Sequence, residues 1–447
     1  MEEKEENYSC GKIESDWLFS ELHVHSRFSR ACSKDLTIPN LVKWARIKGI
    51  NLLGTGDFTH PLWLLELKDK LKGEGGIYYY SDEKGKFPFI LSSEISLVYS
   101  SNGHGRRIHL VYLAPNFETV EKINNWLDSK GRRDYDGRPI FGISCRDFAD
   151  AMEKIDKRIE IIPAHAWTPW FGIFGSKGGF DSLKEAFLDK TYMIHAIETG
   201  ISSDPFMNWK IKDLDDVAIV SFSDAHSFWP WRLGREATIF RMHENKKLSY
   251  DEIIRQIHEK DFIGTIEADP SYGKYHFDGH RNCNFSSSPK ETEKLKGICP
   301  VCNKPLTVGV EYRVNELSKK GEANHKNKKC YYEILPLHEV ISAVLGLGVN
   351  SKKCWEVYNK LLEKFGNEYN ILFSVSEKEI EEVVGRKLTE VIIHNRNSEI
   401  IVKPGFDGVY GKAIINGKEI GIGDDENNLN NSEKNLSKTN DFQKKLF

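Results

Sequence analysis

Between residues 16 and 265, short apolar runs alternate with amphipathic stretches. The runs include WLFSELHVH, INLLGTGD, FPFILSSEIS, RIHLVYLAP, IEIIPAHA, MIHAIETG, VAIVSFSDAH and EATIF. Between them, TIPNLVKWARIKG and FETVEKINNWLDSKG carry apolar residues at helical spacing. This rhythm predicts an α/β fold, as a parallel barrel or an open sheet. The texture then changes. Residues 266–332 form short, cysteine-bearing pieces, 333–398 are helical in pattern, and 399–421 read as a β hairpin. The Asn/Lys/Glu-rich residues 422–447 and the polar residues 1–15 are expected to be disordered.

A chain of 447 residues exceeds one ordinary core, so several domains are expected. The formal net charge of -3 excludes a uniformly basic coat for nucleic acid, but not a local basic channel. No apolar run reaches the length of a membrane span, and the start MEEKEENYSC does not resemble a secretory signal. Eight cysteines in so long a chain are not a disulfide framework. A soluble protein of the reducing cytoplasm is the expectation.

The chemistry begins at ELHVH. Alternate residues of a strand share a face, so His23 and His25 converge on one point, as a hydrogen-bonded core pair or as metal ligands. Later strand ends decide between the two. Asp57 and His60 lie in GTGDFTH, Glu94 in LSSEIS, His109 in RIHLVYL, His165 in PAHAW, and Asp224 with His226 in SFSDAH. Core packing does not explain so many strand ends bearing ionisable groups, because buried charges need partners. Imidazoles mixed with carboxylates suit zinc, manganese or iron, and the set is large enough for two or three ions.

In this order the motifs resemble the polymerase-and-histidinol-phosphatase (PHP) domain over residues 16–265. The resemblance implies a distorted (β/α)7 barrel and a trinuclear metal site that hydrolyses phosphate esters. Two departures stand out. Arg30 occupies a position that is acidic in many members, and GDFTH places Phe58 where Thr-Asp-His would put a histidine. The expected ligands are His23, His25, Asp57 (in preference to His60), Glu94, His109, His165, Asp224 and His226. His195 and Glu198 lie where some members place a further ligand or a supporting group. Asp224, Glu94 and His226 are assigned to catalysis, Glu94 as a bridge between ions and Asp224 as ligand and proton acceptor. Magnesium or manganese, with zinc as part of the cluster, would acidify water and stabilise the leaving oxygen.

Over residues 16–415 the chain resembles endonuclease Q more narrowly, through HSRFSRACSKDLTIPNLVKWARIKGINLLGTGDFTHP, SFSDAHSFWPWRLGREATIF, GKYHFDGHRNC, ICPVCNKPLTVGV and KPGFDGVYG. That family nicks DNA 5′ to uracil, hypoxanthine, xanthine and abasic sites. The residues are consistent with it. His280, Cys283, Cys299 and Cys302 have the spacing of a structural zinc module, with Asp278, His276 and Cys330 as other candidates for the fourth ligand. LGLGVNSKK resembles a helix–hairpin–helix turn, in which Gly346, Gly348 and Lys352 would meet a phosphate; a plain turn between helices is the alternative. Trp167, Trp170, Phe171 and Arg232 lie in glycine- and aromatic-rich stretches suited to holding an extruded base; at least half of the aromatics there are expected to be ordinary core, with Trp167 to Phe174 the expected exceptions because so many glycines argue for a loop. Arg30 joins them as a DNA contact, and Arg132, Arg133, Arg138 and Arg146 form a phosphate patch or a solvated loop. Gln443, Leu446 and Phe447 in QKKLF resemble a shortened sliding-clamp box. A phosphomonoesterase of small metabolites and an inert DNA-binding protein are the rival readings.

Overall fold

The computed structural model describes residues 10, 13–242, 247–326, 328–415 and 417–421. The clamp-like residues Gln443, Leu446 and Phe447, the proposed tail and most of the first fifteen residues lie outside these.

The fold is mixed α/β around a central eleven-stranded sheet. Trp17–Glu21 runs parallel to Leu52–Gly54, which is parallel in turn to Gly85–Ser101. The sheet is not parallel throughout, as the strand–helix rhythm suggests it should be. Trp17–Glu21 also pairs antiparallel with Ala237–Arg241, and Gly85–Ser101 pairs antiparallel with His104–Ala114. The second pairing is local. Asn102 and Gly103 both adopt positive φ, the geometry of a tight hairpin turn, and fold the chain back directly.

That hairpin positions chemistry. Glu94 lies opposite Val111 and Ser96 opposite His109, so Glu94 and His109 are diagonal neighbours on one sheet face. Ala196–Glu198 and Ala218–Val220 form a separate parallel pair, joined to the first strand's extension by a Val24–Ala225 bridge. The bridge brings the chain after each strand to the same end of the fold.

Cys330–Glu333, at the end of the segment assigned to the zinc module, returns to the central sheet and pairs parallel with Gly264–Glu267. Cys10 forms a disulfide with Cys330, which removes Cys330 as a zinc ligand. Five helices between Leu337 and Arg396 follow. They dock through a buried Lys48–Glu368 ion pair at 2.6 Å, with Tyr358 Oη donating to the same carboxylate at 2.7 Å. Residues 401–421 form a three-stranded antiparallel sheet rather than a single hairpin. No helix among the described residues is long and apolar enough to cross a membrane.

Candidate metal centre

Five strands, three through the segments that follow them and two through residues within them, deliver two sets of donors that share one residue. His23, His25, Glu94 and Asp224 form the first set, and Glu94, His109 and His165 the second. Glu94 Oε2 lies 3.4 Å from His23 Nε2 and 3.2 Å from His25 Nε2. Asp224 Oδ1 lies 2.9 Å from His25 Nε2 and 3.4 Å from His23 Nε2. The other oxygen of Glu94, Oε1, lies 2.8 Å from His109 Nδ1 and 3.3 Å from His165 Nε2. Ligands about 2.1 Å from a first-row ion stand roughly 3 to 3.4 Å from one another, and four of these six distances lie in that range, while those of 2.8 and 2.9 Å are hydrogen-bond length. His23 Nε2 supports this fit. It is buried, and no hydrogen-bond partner among the described residues satisfies it.

Surrounding groups fix the imidazoles of His23, His165 and His25. Glu198 accepts from His23 Nδ1 at 2.9 Å and from the backbone N–H of His165 at 2.6 Å. Thr168 Oγ1 meets His165 Nδ1 at 3.0 Å. Asp57 lies 2.9 Å from His25 Nδ1, and its other oxygen accepts from Ser26 N, Ser26 Oγ and Ser29 Oγ. Asp57 is therefore not a ligand in this arrangement. Its oxygens are used in orienting His25 from behind, as carboxylates commonly do for metal-bound histidines. His60 does not substitute for it, because its ring stacks on Phe28 at 4.3 Å. His226 stands beside the first set without joining it. Its Nδ1 faces the Asp224 carbonyl at 2.9 Å and its ring lies 4.5 Å from that of His25.

The electrostatics follow from this crowding. Burial alone would depress His23 and His25, yet Glu198, Asp224 and Glu94 around the first, and Asp57, Asp224 and Glu94 around the second, hold both well above the usual histidine range. Burial would likewise raise Glu94, but Arg138, His109 and His23 hold it well below the usual carboxylate range. Burial lowers His109 to about 4 despite Glu94. Arg138 donates to Glu94 Oε2 at 2.9 Å, a role that its place in an arginine-rich loop did not reveal. Asp57, His165, Phe171 and Asp224 all have positive φ, and strained non-glycine backbone of this kind clusters at functional sites.

The expected base-holding residues separate. Trp167 is 1% exposed, donates to Asn208 Oδ1 at 2.7 Å and stacks near Phe174, so it belongs to the core. Many glycines suggest an open loop here, but the glycines instead allow this one to fold tightly on itself. Phe171 is half-buried over His109, with ring centroids 4.3 Å apart, and its carbonyl accepts from His109 N at 2.9 Å. Trp170 is half-buried against Tyr275, Arg232 is half-buried, and Arg30 is exposed beside Asp136 at 3.3 Å. Gly346, Gly348 and Lys352 lie exposed on the turn between helices Leu337–Leu345 and Lys352–Phe365, far in sequence from the metal centre.

A second cluster gathers His280, Cys283, Cys299 and Cys302. His280 Nδ1 lies 3.1 Å from Cys283 Sγ and 3.2 Å from Cys302 Sγ. Asp278 is engaged elsewhere, accepting from Gly309 N at 2.6 Å, and His276 lies 3.6 Å from Glu311.

Fold and site together define an α/β protein with two buried groups of potential metal ligands that share one carboxylate, Glu94. A protein-family model described as the MJ0043 C-terminal domain matches residues 336–399. The chain is 31% identical over 259 residues to the uncharacterised protein MJ0043 of Methanocaldococcus jannaschii, a match covering 57% of this chain and 32% of that protein. It thus spans about a third of that relative's length. It is 27% identical over 416 residues to the uncharacterised protein YqxK of Bacillus subtilis, covering 88% of this chain and 98% of YqxK. The crystal structure of the lesion-specific endonuclease PfuEndoQ from Pyrococcus furiosus matches with a TM-score of 0.78 and 31% identity, over 89% of this chain and 95% of that one. A complex of endonuclease Q with a 27-mer duplex substrate bearing an abasic lesion at its active site matches at 0.77 and 31% identity, over 89% and 96%. The chain belongs to the endonuclease Q family.

Proposed function

We propose that this chain is a metal-dependent DNA endonuclease that hydrolyses the phosphodiester 5′ to deaminated bases and abasic sites. The observation carrying this reading is the division of Glu94, one oxygen toward His109 and His165 and the other toward His23, His25 and Asp224. A carboxylate so divided suits two adjacent ions, and divalent ions in such a site acidify water and stabilise a leaving oxygen at phosphorus. His23, His25, Glu94, Asp224, His109 and His165 would hold them, magnesium or manganese with zinc among them. Asp57 and Glu198 keep His25 and His23 in place. His226, with Nδ1 against a carbonyl, keeps Nε2 as an acceptor at the edge of the site, where it takes or returns a proton. Arg138, once ions balance Glu94, offers its guanidinium to the scissile phosphate.

The PHP-type barrel is the scaffold in this reading. Zinc on His280, Cys283, Cys299 and Cys302 stiffens the segment beside it. Phe171 and Trp170 border the pocket for an extruded base, Arg30 and Arg232 contact backbone phosphates, and the Gly346–Gly348 turn with Lys352 grips the duplex away from the lesion. The two solved relatives support DNA as the substrate, one being a lesion-specific endonuclease and the other bound to an abasic duplex. The test is a denaturing gel of end-labelled duplexes carrying uracil, hypoxanthine, an abasic site or no lesion, with magnesium, manganese or chelator. One metal-dependent nick immediately 5′ to each lesion supports the reading. Intact duplexes alongside hydrolysis of small phosphate esters would replace it with a phosphomonoesterase.

A further inference from the structure

A third group of donors lies outside the site already described. Glu160, His195 and His258 each place a ligand atom within 4.8 Å of the others. Glu160 opens the strand Glu160–Pro163, His195 immediately precedes the strand Ala196–Glu198, and His258 ends the helix Tyr250–His258. His165 and Glu198 lie at the opposite ends of those two strands. The third group therefore sits at the feet of strands whose heads carry the metal centre.

The arrangement has unspent donors. Glu160 is 2% exposed, and its Oε2 lies 2.7 Å from His258 Nε2. Its other oxygen, Oε1, lies 3.4 Å from His195 Nδ1, and neither of these two buried atoms has a hydrogen-bond partner among the described residues. A buried carboxylate oxygen facing a buried imidazole nitrogen, both unsatisfied, is a costly arrangement without a further group. The imidazoles of His195 and His258 stack with centroids 3.5 Å apart, which holds the two side chains together beside Glu160. His258 also stands at the C-terminus of its helix, where the helix dipole favours positive charge.

We infer that Glu160, His195 and His258 form a separate divalent-cation site, of zinc-binding chemistry, at the end of the sheet opposite the metal centre. Two imidazoles and one carboxylate are a donor set that zinc accepts, with solvent completing its coordination. The side chains of His195 and His258 are 34% and 37% exposed, which gives the ion a route in. The bound ion ties the helix Tyr250–His258 to the feet of both strands.

Two measurements on the full chain test this. Equilibrium dialysis against zinc, with metal counted by mass spectrometry, should give about one equivalent less for the His195→Ala/His258→Ala variant than for wild type, and likewise for Glu160→Gln, which keeps the side chain's shape. Equal zinc content in folded variants and wild type overturns the site. The second needs no variant: diethyl pyrocarbonate labelling of wild type, read by peptide mass spectrometry. Saturating zinc should protect both His195 and His258 about tenfold, whereas unchanged labelling of either overturns the inference.

Discussion

Asp57 lies 2.9 Å from Nδ1 of His25 and so fixes which nitrogen of that imidazole faces the metal centre. With Nδ1–H donating outward to Asp57, Nε2 is the nitrogen that faces Glu94 and Asp224, and an ion bound there would take the place of its proton. Asp57→Asn removes the charge and allows the amide to present either its oxygen or its NH2. The expected outcome is a loss of about 10- to 100-fold in nicking rate, with manganese affinity weakened over a similar range. Unchanged manganese titration with reduced nicking would instead place Asp57 directly on the reacting groups.

Arg138 makes the opposite prediction for metal. Its guanidinium sits against Glu94, 2.9 Å from Oε2, and competes with any cation for that carboxylate. Arg138→Gln should tighten metal binding while lowering kcat about 100-fold, because the phosphate loses a charged donor. Manganese titration and single-turnover nicking separate the two effects. Weaker metal binding in the variant would mean that Arg138 organises the site rather than competing within it.

How much of this was legible in the sequence depends on range. Apolar runs bearing His, Asp or Glu are local patterns, and His23, His25, Glu94, His109, His165 and Asp224 all come together, although Glu94 and His109 lie within long strands rather than at strand ends. Direction of approach was not legible. Asp57 occupies a ligand-like sequence position, yet its carboxylate points at the back of His25, and only the neighbouring Ser26 and Ser29 hydroxyls explain why. The resemblance left Glu198 in MIHAIETG open as a further ligand or a supporting group, and it stands behind His23, whereas the bond of Arg138 to Glu94 spans 44 positions and left no local trace. Composition misled in the glycine-rich stretch, where Trp167 proved to be core. The antiparallel pairing of Gly85–Ser101 with His104–Ala114 was signalled by the Asn102-Gly103 turn, a cue the strand–helix rhythm overrode.

Trp167 and Phe171 should therefore separate stability from recognition. Trp167→Ala removes a fully buried ring and an indole hydrogen bond, and should cost about 3 to 5 kcal/mol in urea unfolding. Phe171→Ala removes a half-buried ring over His109, and should leave the unfolding midpoint nearly unchanged while narrowing the rate difference between lesion-bearing and intact DNA. Equal loss of cleavage on both duplexes would take Phe171 out of the pocket.

Glu339 predicts a pH-dependent stability. Burial pushes its carboxyl up to about 7 despite Arg232 and Arg235 nearby. The folded chain therefore holds this proton more tightly than the unfolded chain does. The stabilising contribution is complete below about pH 4.5 and is lost as pH rises through about 7, amounting to at most about 3 kcal/mol. Glu339→Gln cannot ionise, so its melting temperature relative to wild type should climb by several degrees between pH 5 and pH 8. A constant difference across that range would show that Glu339 ionises in the folded chain as it does in water.

Lys352 opens the helix that follows the exposed Gly346–Gly348 turn, with Ser351 capping it by accepting from Cys354 N at 3.3 Å. A cation beside turn amides and a helix N-terminus contacts a phosphate without reading a base. Lys352→Ala should weaken binding to uracil-bearing, abasic and intact duplexes by the same factor. It should also reduce the slope of log K against log salt by about one. Fluorescence anisotropy across a salt series measures both quantities. An unchanged slope would reduce this hairpin to a connection between helices, whereas a loss confined to lesion-bearing DNA would place it near the extruded base instead.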